Sequence, residues 1–187
     1  MPLKILLLRH GQTQGNLERR YIGSTDQRLC ARGREALEAV RPPAADALYV
    51  SPMLRCRETA AILYPGMEQT VVPGLQETDM GAFEGHTYAE LKDDVFYQAW
   101  LESSGDIAPP GGESKEEVRI RVLEAFRSVA ARHGPEDAAA LVVHGGTIMT
   151  LLEALEPSHE YYRWQAPNGG GFCCTWDGTE IKVEGEL

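Results

Sequence analysis

The hydrophobic positions fall into short continuous runs that alternate with segments of helical spacing. Three runs lack polar alternation, which is typical of strands covered on both faces: residues 4–8 (KILLL), 48–50 and 141–143. A further strand is predicted at residues 70–72 and a closing hairpin at 172–176 and 181–183, around Asp177 and Gly178.

Helices are predicted between these strands. Ser114 and Glu117 form a capping-box pattern before apolar residues at helical spacing, and Ser51 followed by Pro52 predicts the cap and first turn of another helix. The predicted helices cover residues 32–40, 51 to about 63, 88–102, 114 to near 134, and 145–155.

This alternation predicts an α/β fold, a three-layer α/β/α sandwich around a mainly parallel sheet. The 187 residues suit one domain, and no repeat or linker divides them. No apolar run reaches the length of a signal-peptide core or a membrane span, so we expect a soluble, cytoplasmic protein. The four cysteines lack metal-finger spacing and are expected to be reduced thiols.

The formal charge is 18 − 28 = −10. Nucleic-acid binding needs clustered Lys and Arg, so this balance argues against it. A few converging arginines can still form a local positive pocket for an anionic substrate.

Two of the five histidines follow buried strands directly, and each precedes glycine: His10 after residues 4–8, beside Arg9, and His144 after residues 141–143. The helix after residues 48–50 carries Arg55. In open α/β sheets ligands bind beyond the carboxyl ends of the strands. A single histidine there is usually a hydrogen-bonded loop residue, but two in matching places favour a functional site.

Phosphoryl transfer needs these residue types. Guanidinium groups grip phosphate oxygens in pairs, a neutral imidazole can attack phosphorus, and a second, donating imidazole can stabilise the charge on the transferring group.

The chain resembles the histidine phosphatase superfamily, the phosphoglycerate mutase-like proteins. Residues 9–16 (RHGQTQGN) match the family signature R-H-G-x-T-x-x-N. Similar segments follow in the family's order along nearly the whole chain, at residues 23–33, 51–60, 75–85, 110–122 and 142–146.

The resemblance implies that His10 is the phosphorylated nucleophile, and that Arg9, Asn16, Arg55 and His144 bind the phosphate. It implies no metal and no other cofactor. His144 is also expected to act in catalysis, as the second histidine.

The general acid is expected to be Glu77, on the match of residues 75–77 to L-x-E. Glu84 competes within the same stretch, and Asp79 is a third candidate. Arg57 is expected to point away from the pocket, because residues two apart on a helix cannot face one site.

The sequence departs from the family pattern at Cys56, Glu58, Phe83 and Val143, where alanine, glutamine, tryptophan and serine are common. None of these positions carries an expected catalytic group.

Hydrolysis is the first choice of reaction, because the mutases of the family carry extra segments, whereas residues 78–114 form a short, acidic lid insertion. Phosphoglycerate mutase, a protein-directed phosphatase and a non-catalytic anion-binding protein are the alternatives. Residues 21–23 and 31–33 resemble α-ribazole phosphatase.

The expected partners are a small-molecule phosphate ester and inorganic phosphate, without nucleic acid or membrane. Residues 161–164 and 169–172 are candidates for either a homodimer contact or the edge of the pocket.

Overall fold

The computed structural model describes residues 2–187. Six strands form one sheet: β1 (Leu3–Arg9), β2 (Ala47–Val50), β3 (Gln69–Val71), β4 (Ala138–Val143), β5 (Gly171–Trp176) and β6 (Ile181–Glu186). Their order across the sheet is β3-β2-β4-β1-β5-β6. The first four strands pair in parallel, and β5 and β6 pair antiparallel at one side. The mainly parallel sheet predicted from the sequence is therefore confirmed.

Seven helices connect the strands in the described chain: α1 (Gln14–Leu17), α2 (Ala31–Glu38), α3 (Leu54–Leu63), α4 (Tyr88–Leu91), α5 (Val95–Glu102), α6 (Lys115–Ala130) and α7 (Gly145–Leu155). Short 3-10 turns lie at Pro73–Leu75, Gly81–Phe83 and Tyr162–Trp164. Among residues 2–187, no helix combines the length and the apolar character needed to cross a bilayer.

Alternate residues of β1 face opposite layers. Ile5 and Leu7 belong to a core shared with α6 and α7, whereas Leu6 and Leu8 belong to a core shared with α2 and α3. All four side chains are fully buried. This burial on both faces explains why the strand is apolar at consecutive positions, and it gives the α/β/α layering predicted from the sequence.

The capping box at Ser114 and Glu117 is present and begins α6. The helix predicted at residues 88–102 is interrupted. Its second half, α5, starts anew after Asp94, whose carboxylate accepts hydrogen bonds from the amides of Phe96 and Tyr97 at 2.8 and 2.9 Å. The side-chain cap ends the preceding turn and starts the next helix.

The prediction that Ser51 caps the helix after β2 was wrong. The α3 helix begins at Leu54, whose N–H donates to Asp26 Oδ1 at 2.7 Å, from a segment distant in sequence. This tertiary cap leaves the Ser51 hydroxyl for another partner, His144, at the carboxyl edge of the sheet.

Residues 78–114 contribute α4 and α5 and contain a small apolar cluster of their own. Met80, Phe83, Leu91 and Tyr97 are buried in it. We refer to residues 78–114 as the lid segment.

Candidate active site

Three neighbouring strands end beside one another. β4 lies between β1 and β2 in the sheet, with Arg9 of β1 opposite Val143 of β4. The amide of His10 donates to Val143 O at 3.0 Å, and the amide of Ser51 donates to Val142 O at 3.1 Å. The residues directly after the three strands, His10, Ser51 and His144, therefore meet at one edge.

His10 is buried and keeps one ring nitrogen occupied. Its Nδ1 lies 2.6 Å from the carbonyl oxygen of Gly11, so this nitrogen carries the proton and Nε2 keeps its lone pair. Burial lowers the pKa of His10 to about 3, and the positive charges of Arg55 and Arg9 act in the same direction. The ring is therefore neutral at pH 7.

The His144 ring lies 5.2 Å from the His10 ring, measured between centroids, and both histidines are buried. Its Nδ1 accepts a hydrogen bond from Arg55 Nε at 3.2 Å, so the proton lies on Nε2, which is 2.7 Å from the Ser51 hydroxyl. Burial and the charge of Arg55 hold the pKa of His144 well below its ordinary value.

Arg55 is 1 % exposed and is fixed by backbone oxygens as well as by His144. Its Nη1 and Nη2 donate to the carbonyls of Thr25 and Gly23 at 2.9 and 2.8 Å. In the described chain no carboxylate lies within ion-pair distance of this guanidinium. Arg57 is exposed, as expected for a residue two positions further along α3.

Arg9 is the second arginine of the site, and no carboxylate of residues 2–187 lies within ion-pair distance of its guanidinium either. Its Nη1 donates to Ala166 O at 2.7 Å, but its Nε is buried and has no hydrogen-bond partner in the described residues. Burial lowers the pKa of Arg9, and the nearby charge of Glu77 opposes this effect. Leaving a buried donor unpaired costs on the order of 1–3 kcal/mol.

Asn16 of α1 is linked to His10 through the side chain of Asn168. Its Oδ1 accepts from the Thr13 amide at 3.1 Å and from Asn168 Nδ2 at 3.2 Å, and Asn168 Nδ2 also donates to His10 O. With Oδ1 occupied in this way, the amide nitrogen of Asn16 is the end available to a ligand.

The structure distinguishes the candidate acids by their partners. Glu77 touches the start of α7, where its Oε2 accepts from the amide of Gly146 at 3.0 Å. Glu84 instead accepts from the amides of Gly23, Ser24 and Met80 and organises the loop that carries the Arg55 contacts.

Asp79 accepts from the Ser24 hydroxyl and the Gly81 amide, so its carboxylate is also engaged in the loops. Of these three carboxylates, Glu77 alone contacts the segment that begins with His144.

Gly146 needs its hydrogen side chain for this contact. A Cβ at position 146 would lie 2.5 Å from Glu77 Oε1, so the carboxylate would have to move from its present position.

Two residues that sequence reasoning did not assign to the site hold Glu77 in place. Arg121 of α6 donates to the carbonyls of Gly74 and Gln76, both at 3.0 Å, and forms a two-pronged ion pair with Glu113 at 2.7 and 2.9 Å. The resemblance covered both positions, but only the folded chain shows that they brace the backbone before Glu77.

Ser51 is a third residue of the site that sequence reasoning assigned to a helix cap. Its position directly after a buried strand, the same signal that singled out both histidines, was sufficient to find it.

No group of three or more His, Cys, Asp or Glu side chains arranged to hold a metal ion occurs within residues 2–187. The four cysteines are free thiols, as predicted. Cys56, a departure from the family pattern, is buried with its Sγ 3.5 Å from His144 Nε2, and burial raises the pKa of this thiol.

The neutral state of His10 predicts a pH dependence of stability. Because its pKa is lowered by folding, the unfolded chain takes up a proton below about pH 6.5 that the folded chain takes up only near pH 3. The stabilisation is complete above pH 6.5 and is lost as the pH falls towards 3. The free energy of unfolding, measured with urea in anion-free buffer, should fall less steeply over this window in His10→Asn than in the wild type. The exposed His86→Asn is the matched control, and identical slopes for wild type and His10→Asn would contradict the assignment.

Comparison with known proteins identifies the family of this chain. The model of the histidine phosphatase superfamily (branch 1) matches residues 5–185. A bifunctional protein of Mycobacterium tuberculosis is 36% identical over 160 residues, which are 81% of this chain and 43% of that protein. The chain thus spans less than half the length of this relative.

Two solved structures share the fold. A phosphoglycerate mutase from Thermus thermophilus is 31% identical, with a TM-score of 0.75 and 98% of each chain covered. The α-ribazole phosphatase from Shigella flexneri has a TM-score of 0.84 at 23% identity, covering 97% of this chain and 94% of that one. Because the family model matches residues 5–185 of the 187, this chain belongs to the histidine phosphatase superfamily.

Proposed function

We propose that this chain is a phosphomonoester hydrolase that works through a phosphohistidine at His10, on a small-molecule phosphate ester. One observation supports this function above all: the buried Arg55 and the partly buried Arg9, whose Nε has no hydrogen-bond partner in the described residues, flank two neutral imidazoles. Neither guanidinium forms an ion pair with a carboxylate of residues 2–187. A doubly charged tetrahedral anion supplies the missing negative charge and the missing acceptors.

The first half-reaction follows from the lone pair on His10 Nε2. This nitrogen attacks phosphorus, the P–O bond to the alcohol breaks, and Glu77 gives its proton to the departing oxygen. In the second half-reaction Glu77 takes a proton from water, the water oxygen attacks phosphorus, and the P–N bond breaks to release phosphate. Arg9, Arg55 and Asn16 hold the equatorial oxygens throughout.

His144 contributes through its tautomer. Arg55 Nε donates to Nδ1 of His144, so this nitrogen carries no proton in that arrangement. The Ser51 hydroxyl can either accept from or donate to Nε2. In the tautomer that this function requires, Ser51 donates to Nε2 and the ring proton lies on Nδ1, where it is available to a phosphate oxygen.

Phosphoglycerate mutase is the second candidate, supported by the 31% identity to the Thermus thermophilus enzyme over nearly the whole chain. α-Ribazole phosphate is the first specific substrate to test, supported by the resemblance of residues 21–23 and 31–33.

The central test is phosphate release from phosphate monoesters, α-ribazole phosphate among them, with acid-labile phosphoenzyme trapped by rapid quenching. His10→Asn should abolish both turnover and the phosphoenzyme, because asparagine keeps a donor towards Gly11 O but has no nucleophilic nitrogen. Glu77→Gln should still form some phosphoenzyme but turn over at least about a hundredfold more slowly.

Undiminished phosphatase activity of His10→Asn would overturn the nucleophile. Phosphate transfer between positions of phosphoglycerate, stimulated by a bisphosphoglycerate and with negligible free phosphate, would replace hydrolysis with the mutase reaction.

Ser51→Ala tests the tautomer argument. Losing one buried hydrogen bond to His144 should lower kcat by about tenfold to a hundredfold, the equivalent of roughly 1–3 kcal/mol, with KM little changed. Cys56→Ala is the matched control, because its thiol lies against the same ring nitrogen but is a weak donor. Equal effects of the two substitutions would argue that the ring needs packing rather than the hydroxyl.

Anion binding should raise the melting temperature. Orthovanadate or phosphate at about one hundred times its Kd stabilises the folded state by about 2.7 kcal/mol, which corresponds to roughly 5–10 °C for a chain of this size. Differential scanning fluorimetry should show this shift in the wild type and in Arg57→Gln, and its loss in Arg9→Gln and Arg55→Gln. A shift that survives in Arg9→Gln and Arg55→Gln would place the anion elsewhere.

A further inference from the structure

A cleft of about 400 Å³ opens beside the candidate site. It begins at Glu77 and Gly146, the pair joined by the hydrogen bond described above, so it adjoins the group assigned to protonate the leaving alcohol. The lid segment contributes Trp100 to its lining, and the turn before β5 contributes Tyr161 and Tyr162. This cleft is therefore the space next to the alcohol part of a phosphate ester bound at His10.

Three neighbouring aromatic rings hold Trp100 in place. Its ring stacks on Tyr97, with centroids 5.7 Å apart, and packs edge-on against Tyr21 and Phe83 at 5.9 and 5.8 Å. The hydroxyls of Tyr21 and Tyr97 are 2.6 Å apart and tie the loop after β1 to the lid segment. The indole is therefore a rigid aromatic wall that loses little conformational freedom when it binds a ring.

Two tyrosines form the second aromatic part of the cleft: Tyr161 is packed against its neighbours, and Tyr162 is exposed. Tyr161 and Tyr162 pack edge-to-face with centroids 5.1 Å apart, and the ammonium of Lys115 lies 4.9 Å from the Tyr161 centroid. Tyr162 is 70 % exposed. An exposed tyrosine beside an anchored one gives the cleft a free aromatic surface.

Two of the three charged residues that line the cleft are already in ion pairs. Lys115 is the cation among its described lining residues, and its Nζ lies 2.8 Å from Glu153 Oε1. Glu113 is bound by Arg121, which leaves Glu77 facing the space. A carboxylate on the leaving alcohol would lie near Glu77 without a free cation from these residues, whereas an uncharged ring meets aromatic side chains.

We propose, resting on the hydrolase function above, that this cleft selects phosphate esters whose alcohol carries a flat, uncharged ring, and that Trp100 and Tyr162 are the specificity-determining residues. Stacking against them strengthens binding of the alcohol part and leaves the phosphate chemistry unchanged.

The test compares three primary alkyl esters with similar leaving oxygens: 2-(1-naphthyl)ethyl phosphate, butyl phosphate and 3-phosphooxypropionate. In the wild type, kcat/KM should be at least about tenfold higher for the naphthyl ester than for butyl phosphate, and lowest for the carboxylate ester. Trp100→Leu and Tyr162→Ala should each reduce kcat/KM for the naphthyl ester several-fold more than kcat/KM for butyl phosphate, and the difference should lie in KM.

Phe96→Ala is the matched control, because this aromatic lies on α5 like Trp100 but is 64 % exposed and outside the cleft lining. Tyr162→Ala removes an exposed ring, so the test does not depend on how Trp100→Leu folds. Equal kcat/KM for the naphthyl and butyl esters, or an equal loss for both esters in the variants, overturns the cleft assignment while hydrolysis of butyl phosphate by His10 stands.

The hydrolase function fails separately, if none of the three esters releases phosphate. In that case, calorimetry with 2-(1-naphthyl)ethylphosphonate and butylphosphonate tests whether the cleft prefers a flat, uncharged ring. Tighter binding of the naphthyl compound that is lost in Tyr162→Ala supports the assignment, and equal binding overturns it.

Discussion

The site depends on positive charge at the edge of the sheet that no ion pair neutralises within the described residues. Arg9 and Arg55 carry two charges into a region where His10 and His144 must stay neutral, because burial and the two guanidinium groups together disfavour imidazolium. A cation without an ion pair is costly where it is shielded from water, and backbone carbonyls offset part of that cost by accepting hydrogen bonds from each guanidinium. The N–H donors and the positive charge that stay unpaired favour the binding of an anion.

The chain has many acids, and the fold keeps the nearest ones occupied elsewhere. Glu84 is surrounded by backbone amides of its own loop, and Glu113 is held by Arg121. These carboxylates shape the site without neutralising its arginines. Glu77 is the carboxylate that reaches the start of α7, and it does so because Arg121 anchors the carbonyls of Gly74 and Gln76. Glu77 can therefore lie at the site without forming an ion pair with an arginine, because its carboxylate accepts a hydrogen bond from the Gly146 amide.

The sheet topology brings these groups together. With β4 between β1 and β2, residues that are more than a hundred positions apart in the chain follow adjacent strands at one edge. The same edge receives the lid segment, whose aromatic cluster fixes Trp100 beside the cleft. The proposed phosphate pocket is therefore built from the sheet and its loops, and the adjoining cleft is built largely from the lid segment and the turn at Tyr162. Such a division allows the alcohol specificity to change while the phosphate chemistry is kept.

The sequence by itself determined the strands, most helices and the histidines at their ends, because continuous apolar runs, capping boxes and strand-end positions are local properties. It could not determine the cap of α3, since Asp26 reaches that helix only through the fold, and it therefore misassigned Ser51. It also could not separate Glu77 from Glu84 by their own chemistry. Both are solvent-compatible acids in one short stretch, and only the tertiary structure turns one towards Gly146 and surrounds the other with loop amides. Long-range hydrogen bonds decide such choices, because their partners are specified by three-dimensional packing and leave no periodic signal in the chain.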